Sequence, residues 1–574
     1  MYILGISAYY HDSAAVLLKD GRIVCGIEEE RFSRIKHDNN FPYQAITFCL
    51  QKAKLTINDI EVISYYEKPL LKFERILESF IATYPHGLKP FLKGLPEWLG
   101  FKIKIEQTIR KKLNYKEKVC FTPHHISHAS SAFYPSPYKD AAILTIDGVG
   151  EYQTTGLWKG EATKIVPLQK IDFPHSIGLL YSTFTGYLGF KVNEDEYKLM
   201  GLAAYGQPSY VDKIKKLIDI KADGSFQLDM QFFSFRESFR MWSDTFEKIF
   251  GKPRNPRDEI QKKHKDLASS IQSVTEEIYF KILSHLYSLT GYANLCISGG
   301  VALNALANGK IHRNTPFKNV YIFGAASDSG TALGSALYAY FNRQTKQIDR
   351  VVRYPINSLS LGSSYSNRAI EKILKQYKLH FVKLPENKLI HQTAKLLADG
   401  NILGWFYRKA EFGPRALGNR SILCKPSPKS MKTKMNIIKR REQFRPFAGS
   451  ILQEKVHDYF KVPEKNHWSP YMVFCFPVKK NKRKELAAIV HKDRTCRIQT
   501  VSKENGRYYK LIKEFDKQTG TACILNTSFN LQGEPIVQTP QEALQDFLKT
   551  KIDYLVIEDF LIVKNYRSLL ALCE

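Results

Sequence analysis

Pro123-His124-His125-Ile126-Ser127-His128 sets two imidazoles four residues apart where the chain begins a helix. Four residues are a little over one α-helical turn, so His124 and His128 project from one face and can meet at a single ion, while His125 lies about 100° round the axis. Pro123 suits a helix start, and His128-Ala129-Ser130-Ser131-Ala132-Phe133 continues with small residues until Pro135 and Pro137 close it. Half a metal site is the chemistry such a pair offers. The same spacing also arises by chance in long chains.

The elements around this pair alternate strand, acidic turn and strand. The apolar run Ala141-Ala142-Ile143-Leu144-Thr145-Ile146 ends in Asp147-Gly148-Val149-Gly150-Glu151, and residues 152–158 resume with polar and apolar alternation, which predicts a hairpin with an aspartate at its tip. The first residues repeat the design: a strand over 2–7, the polar turn Tyr10-His11-Asp12-Ser13, and a second strand over 14–19. A third unit has a strand over 293–297 followed by Ser298-Gly299-Gly300-Val301-Ala302-Leu303-Asn304, whose exposed backbone amides at a helix start can hold an anion or phosphate. A fourth has a strand over 320–323, then Gly324-Ala325-Ala326-Ser327-Asp328-Ser329-Gly330 and a small-residue helix over 331–340. Repetition in two halves suggests a nucleotide cleft.

Two hairpins with acidic tips, a Ser-Gly-Gly loop and an Asp-Ser-Gly helix start resemble the actin-like ATPase superfamily, in which two ribonuclease-H-like lobes enclose a nucleotide. Within it, His124, His128, Asp147 and Asp328 look like the metal set of the Kae1-type tRNA threonylcarbamoyl-transfer enzymes. Two imidazoles with two carboxylates suit Fe(II), Mn(II) or Zn(II), and iron is what the resemblance implies. Longer motifs resemble the O-carbamoyltransferase family of nodulation protein U and the tobramycin and cephamycin carbamoyltransferases. They include Glu28-Glu29-Glu30-Arg31-Phe32-Ser33-Arg34-Ile35-Lys36-His37-Asp38, Glu196-Tyr197-Lys198-Leu199-Met200-Gly201 and Glu411-Phe412-Gly413-Pro414-Arg415-Ala416-Leu417-Gly418-Asn419-Arg420-Ser421. Lys439-Arg440-Arg441-Glu442-Gln443-Phe444-Arg445-Pro446 and Asn526-Thr527-Ser528-Phe529-Asn530 complete the ordered set.

The expected architecture is therefore α/β: an actin-like ATPase (duplicated ribonuclease-H-like) N-terminal domain with helical insertions over 1–350, and a C-terminal YrdC-like α/β domain over 389–574. Residues 351–388 form the expected linker, with a crossover strand and turn at 355–364. The stretch 84–99 mixes aromatics, prolines and lysines and reads as a surface insertion that could touch a membrane or an acceptor, its prolines disfavouring one long amphipathic helix.

Composition fits a soluble multidomain enzyme. A chain of 574 residues exceeds what one core usually fills, and 44% hydrophobic with 25% charged residues is ordinary for globular proteins. No apolar run approaches the ~20 residues that span a bilayer, and no leader pattern opens the chain, so a cytoplasmic location is expected. Nine scattered cysteines without a CxxC pair point to reduced thiols. The formal charge of +29 is the anomaly. Its lysines and arginines are dispersed, no nucleic-acid module is visible, and a positive field also favours anionic substrates, so nucleic acid is not the expected partner.

The resemblance implies an ATP-dependent carbamoyltransferase, an enzyme that transfers a one-carbon group. Its C-terminal domain would make carbamoyl adenylate from carbamoyl phosphate and Mg(II)-ATP, and its N-terminal domain would pass the carbamoyl group to a hydroxyl of a sugar, antibiotic or other secondary metabolite. A threonylcarbamoyl tRNA-modifying enzyme is the alternative, disfavoured by the attached second domain. Arg415, Arg420, Lys439, Arg441 and Arg445 are the expected cations for carbamoyl phosphate and ATP, because a guanidinium fork matches two phosphoryl oxygens. Ser421, Asn526, Thr527 and Ser528 would orient the carbamoyl amide or nucleotide. His11 is the candidate general base, since imidazole titrates near neutrality, with Asp12 orienting it or replacing it; the bland alternative is a turn cap. Lys36 and His37 would polarise the carbamoyl group. Gly299, Gly300 and Asn304 would receive the adenylate, with Lys198 either compensating phosphate or making a structural ion pair. A homodimer is compatible with all of this.

Overall fold

The computed structural model describes residues 1–343, 352–465 and 467–565, which divide into two compact units: Met1–Glu29 with His37–Ile356, and Glu30–Lys36 with Asn357–Glu574. The expected border at residue 350 lies outside the described residues.

The first unit carries the same sheet twice. β1 (Tyr2–Ser7), β2 (Ala14–Lys19), β3 (Arg22–Glu28), β4 (Val62–Tyr65) and β5 (Lys118–Phe121) lie in the order β3-β2-β1-β4-β5. β6 (Asp140–Ile146), β7 (Gln153–Glu161) and β8 (Lys164–Asp172) are followed by a short ribbon, β9 (Ile218–Ile220) with β10 (Phe226–Leu228). Then β11 (Asn294–Ser298) and β12 (Asn319–Ile322) complete a second sheet in the order β12-β11-β6-β7-β8. In each, the first three strands are antiparallel neighbours, the fourth pairs parallel with the first, and the fifth pairs parallel with the fourth. This is the duplicated ribonuclease-H-like arrangement of the actin-like fold, and it gives the turns after β1 and β6 equivalent places. Both strands are apolar because both faces are covered, β1 being buried from Ile3 to Ser7.

Two helices of small residues lock the sheets together. Asp328–Arg343 packs against His124–Phe133, and a Cβ on Gly334 would come 1.8 Å from the Ser127 carbonyl oxygen, so only glycine permits this approach. The helical insertions include Pro69–Thr83, Leu88–Glu97 and the long helix Lys262–Thr290.

The second unit is built on a nine-stranded mixed sheet. Its strands are β13 (His380–Lys383), β14 (Leu403–Phe406), β15 (Arg420–Cys424), β16 (Ala448–Leu452), β17 (Phe474–Pro477), β18 (Thr495–Val501), β19 (Cys523–Ser528), β20 (Tyr554–Ile557) and β21 (Phe560–Val563), in the order β13-β21-β20-β14-β15-β19-β16-β18-β17. The crossover strand expected at 355–364 does not form; the segment makes an isolated bridge from Ser360 to Glu411, flanked by backbone hydrogen bonds that join Leu359, Gly362 and Ser363 to Ala410 and Phe412. Four serines and Gly362 there favour turns over a ladder. A helix, Asn367–Gln376, precedes β13 instead. No helix of the described residues is long and apolar enough to cross a membrane.

Candidate functional sites

In the first unit, His124, His128, Asp147 and Asp328 converge so that one ligand atom from each lies within 4.8 Å of the others. All four are buried. His124 Nε2 is 3.0 Å from Asp147 Oδ2 and 3.1 Å from His128 Nε2, while His128 Nε2 is 3.5 Å from Asp328 Oδ1. Local structure explains the convergence. Glu151 accepts from the backbone N–H of His124 at 3.0 Å and fixes the helix start. Asp147 follows β6, and its Oδ1 accepts from Gly300 N–H at 3.0 Å. Asp328 opens its helix, where the dipole favours a carboxylate.

This donor set fits a divalent ion. Two imidazole nitrogens facing one another repel unless a proton or cation lies between them, and both Asp328 oxygens are buried without a hydrogen-bond partner. His128 Nδ1 lies 3.2 Å from Ser298 Oγ, the support that orients a ligating ring. Burial pulls His128 down, but Asp147 and Asp328 outweigh it and raise it to about 9; Asp147 is correspondingly held well below the carboxylate range despite its burial. A site this favourable to positive charge suits a cation. His125 points elsewhere, its Nδ1 lying 2.8 Å from Thr145 Oγ1.

The equivalent turn after β1 carries a second constellation. Asp12 bridges two imidazoles, with Oδ2 3.1 Å from His11 Nδ1 and Oδ1 2.7 Å from His37 Nδ1. His11 Nε2 lies 3.7 Å from Asp328 Oδ2. Burial lowers His11, yet Asp328 and Asp12 together lift it to about 10. Lys36 ends the segment Glu30–Lys36, which packs as part of the second unit, so it and His37 belong to different units.

The expected adenylate loop is engaged internally. Gly300 gives its N–H to Asp147, and the Asn304 side-chain amide exchanges hydrogen bonds with Gln272 at 3.0 Å and caps the helix Ala305–Asn308. Gly299 has φ +103° and lies against Ile146, a conformation that requires glycine. Lys198 pairs with Asp195 at 3.0 Å.

In the second unit, Lys439, Arg441 and Arg445 form a cationic cluster. Burial, then Arg441 and Arg445, push the Lys439 ammonium well below its ordinary value. Its Nζ donates to Asn530 Oδ1 at 2.8 Å and to Asn530 O at 3.0 Å, and it also reaches Ser528. Arg497 on β18, a half-buried residue that sequence reasoning missed, is lowered by burial of its guanidinium and by Arg445, and both Arg497 and Arg415 act on the Cys475 thiol. The sequence signal for Arg497 is weak: a charge on the polar side of an alternating strand, Thr495–Val501.

Arg420 corrects an expectation. It is fully buried, donates to the carbonyls of Tyr407, Arg408, Asn419 and Ser363, and stacks 3.5 Å from the Phe406 ring centroid. It is scaffold. Ser421 and Asn526 likewise hold the turn at 413–420: Ser421 Oγ accepts from Gly418 N–H, and Asn526 donates to Ala416 O, Ser450 and Gln499. Thr527 is half-buried on β19. Two further residues frame this turn. Glu411 Oε1 accepts from the N–H groups of Leu417, Asn419 and Arg420, and Arg31 Nη2 donates to Gly413 O at 2.7 Å. Beyond Leu417 and Asn419 opens a polar cavity of about 680 Å³, also lined by Tyr365, Arg408, Tyr508 and Glu558.

Comparison with known proteins covers both units. Residues 2–337 match the family model described as carbamoyltransferase N-terminus, and residues 394–564 match carbamoyltransferase C-terminus. An uncharacterized protein of Synechocystis sp. is 45% identical, with 98% of this chain and 97% of that protein covered. Nodulation protein NolNO of Sinorhizobium fredii is 36% identical, with coverage of 98% and 80%. Among solved structures, component A of the Acidaminococcus fermentans (R)-2-hydroxyglutaryl-CoA dehydratase matches 60% of this chain and 98% of its own, at 17% identity and a TM-score of 0.31.

Proposed function

The chain belongs to the carbamoyltransferase family, and from that premise we propose that it is an ATP-dependent O-carbamoyltransferase with adenylation in its second unit and transfer in its first. The observation that carries the reading is the pairing of a cation-seeking cluster in one unit with an anion-seeking cluster in the other.

In the second unit Lys439, Arg441, Arg445, Arg497 and Arg415 bind the phosphoryl oxygens of carbamoyl phosphate and ATP, with Mg(II) accompanying the nucleotide. The polar cavity beside Asn419 is within the range of small-molecule sites and supports a nucleotide in this unit. Water hydrolyses carbamoyl phosphate to carbamate and inorganic phosphate, and a carbamate oxygen then attacks the ATP α-phosphorus and expels pyrophosphate, leaving carbamoyl adenylate. Ser528 and Asn530 orient the ammonium of Lys439 toward this chemistry.

In the first unit His124, His128, Asp147 and Asp328 would hold a divalent ion, Fe(II) being the identity the family resemblance implies. When bound, it supplies positive charge that polarises the carbamoyl carbonyl and offsets the carboxylates that hold His11 protonated. His11 Nε2 then accepts the proton of the acceptor hydroxyl as that oxygen bonds to the carbonyl carbon, and AMP departs. Asp12 holds the ring through Nδ1, and its second oxygen engages His37. The products are the carbamate ester, AMP and a proton.

The test is pyrophosphate release from ATP with and without carbamoyl phosphate. Stimulation by carbamoyl phosphate is expected; equal rates would refute the reading.

A further inference from the structure

The insertion after β4 has two unlike faces. Its inner face is packed: the Lys72 ammonium lies 4.6 Å from the Tyr10 ring centroid and pairs with Glu67 at 2.6 Å. Arg75 donates to Gly150 O at 2.9 Å, and Trp98 is buried beside Phe73. These contacts reach the turns after β1 and β6 that carry His11 and Asp147. The insertion is thus seated on the unit.

Its outer face is apolar. Eight of the fifteen exposed large apolar side chains among the described residues fall between positions 70 and 99, including Leu70, Leu77, Ile81, Leu88, Leu92 and Leu99. Ile81 is 66% and Leu92 55% exposed. Leu70, Leu77 and Ile81 share one face of the helix Pro69–Thr83, at intervals of seven and four. Clustering on this scale marks an interaction surface, since scattered single residues are the norm.

Charge identifies the partner. Residues 68–112 hold ten Lys and Arg against four Glu, in a chain of formal charge +29. On the helix Leu88–Glu97, exposed Leu88 and Leu92 each precede an exposed lysine, Lys89 and Lys93, and the Lys93 ammonium lies 4.8 Å from the ring centroid of the exposed Phe239. Glu97, the one acid between residues 79 and 104, is paired with Lys102 at 2.9 Å. Leucines and aromatics interleaved with lysines combine shallow apolar insertion with attraction to phosphate headgroups, each exposed basic residue contributing about 1 kcal/mol at an anionic leaflet. Pro85 separates the two helices, and Pro90 and Pro96 lie within the second, which passes into the wider turn Trp98–Lys102; an irregular edge of this kind suits the interface better than a straight ridge for helix pairing. We propose that residues 69–104 dock this protein reversibly on an anionic lipid bilayer surface, with no segment crossing it.

The test is co-sedimentation of the full-length protein with phosphatidylcholine vesicles and with vesicles in which a third of the lipid is phosphatidylglycerol, at low and high salt. Binding to the anionic vesicles alone, weakened by salt, is expected. L88S/L92S and K89E/K93E should each weaken it about tenfold or more while the far-ultraviolet circular dichroism and thermal unfolding stay unchanged. Failure to bind anionic vesicles, or wild-type binding by both variants, overturns the proposal. So does a light-scattering mass showing that the wild type is a dimer that L88S/L92S dissociates, since a second copy then covers the face. Because vesicle binding is read without substrate, the result is independent of the proposed reaction.

Discussion

The two candidate sites treat charge in opposite ways. Around His124 and His128 the carboxylates outweigh burial and raise His128, so the cluster favours positive charge. Around Lys439 burial and neighbouring guanidiniums act together, and the ammonium is pushed down. The first environment favours positive charge and the second disfavours it, a division that suits the proposed metal-assisted transfer step in one unit and the proposed phosphate chemistry in the other.

The sharpest way to break this comparison is to remove a ligand from the first site. His128→Ala should reduce acceptor carbamoylation by more than about a thousandfold and abolish metal retention in elemental analysis, while carbamoyl-phosphate-dependent pyrophosphate release stays near wild type. Equal loss of both steps in a folded variant would show that the units do not divide the reaction. Next in size, His11→Asn should lower transfer by about a hundredfold or more with metal content retained. If transfer persists, His11 only caps its turn.

In the second site, Arg445→Gln should raise the KM for carbamoyl phosphate by roughly thirtyfold, the worth of a charged hydrogen bond of ~2 kcal/mol, without altering metal content. An unchanged KM would remove Arg445 from the anion site. The smallest effect concerns Asp546, raised to about 6 by burial and then Glu534, against the pull of Arg34 and Lys439. Its folded value lies above the ordinary 3.8, so the folded chain holds a proton that the unfolded chain has lost. Stability from this group therefore falls as pH rises from about 4 to about 6. Asp546→Asn should flatten that slope by about 1 kcal/mol in denaturant titrations. A slope identical to wild type would show that Asp546 ionises normally.

The metal-type cluster was legible because its parts are local: an i, i+4 pair on a helix, an aspartate at a hairpin tip, and an aspartate opening a small-residue helix. Each is a pattern within a dozen residues. The frame of the second site was not legible in this way. Glu411 and Arg31 lie inside recognisable motifs, but their partners are main-chain groups of a turn, which carry no sequence signal. Arg420 misled for the same reason: density of arginine suggested phosphate, whereas β14 and β15 place its guanidinium over Phe406 among four carbonyls. The segment 355–364 was read as a strand because its leucines alternate with serines, a pattern that ladder pairing did not reinforce.

The segment Glu30–Lys36 ties the order of synthesis to the order of folding. β1, β2 and β3 leave the ribosome first and can pair at once, yet Arg31 awaits Gly413, 382 residues later, and Arg34 awaits the carbonyls of Pro535 and Ile536, 501 and 502 residues later. A nascent chain thus carries this early stretch through most of translation before its final acceptors exist. Any chain cut short before Pro535 leaves the second unit without the clasp that its own N-terminal region was made to supply.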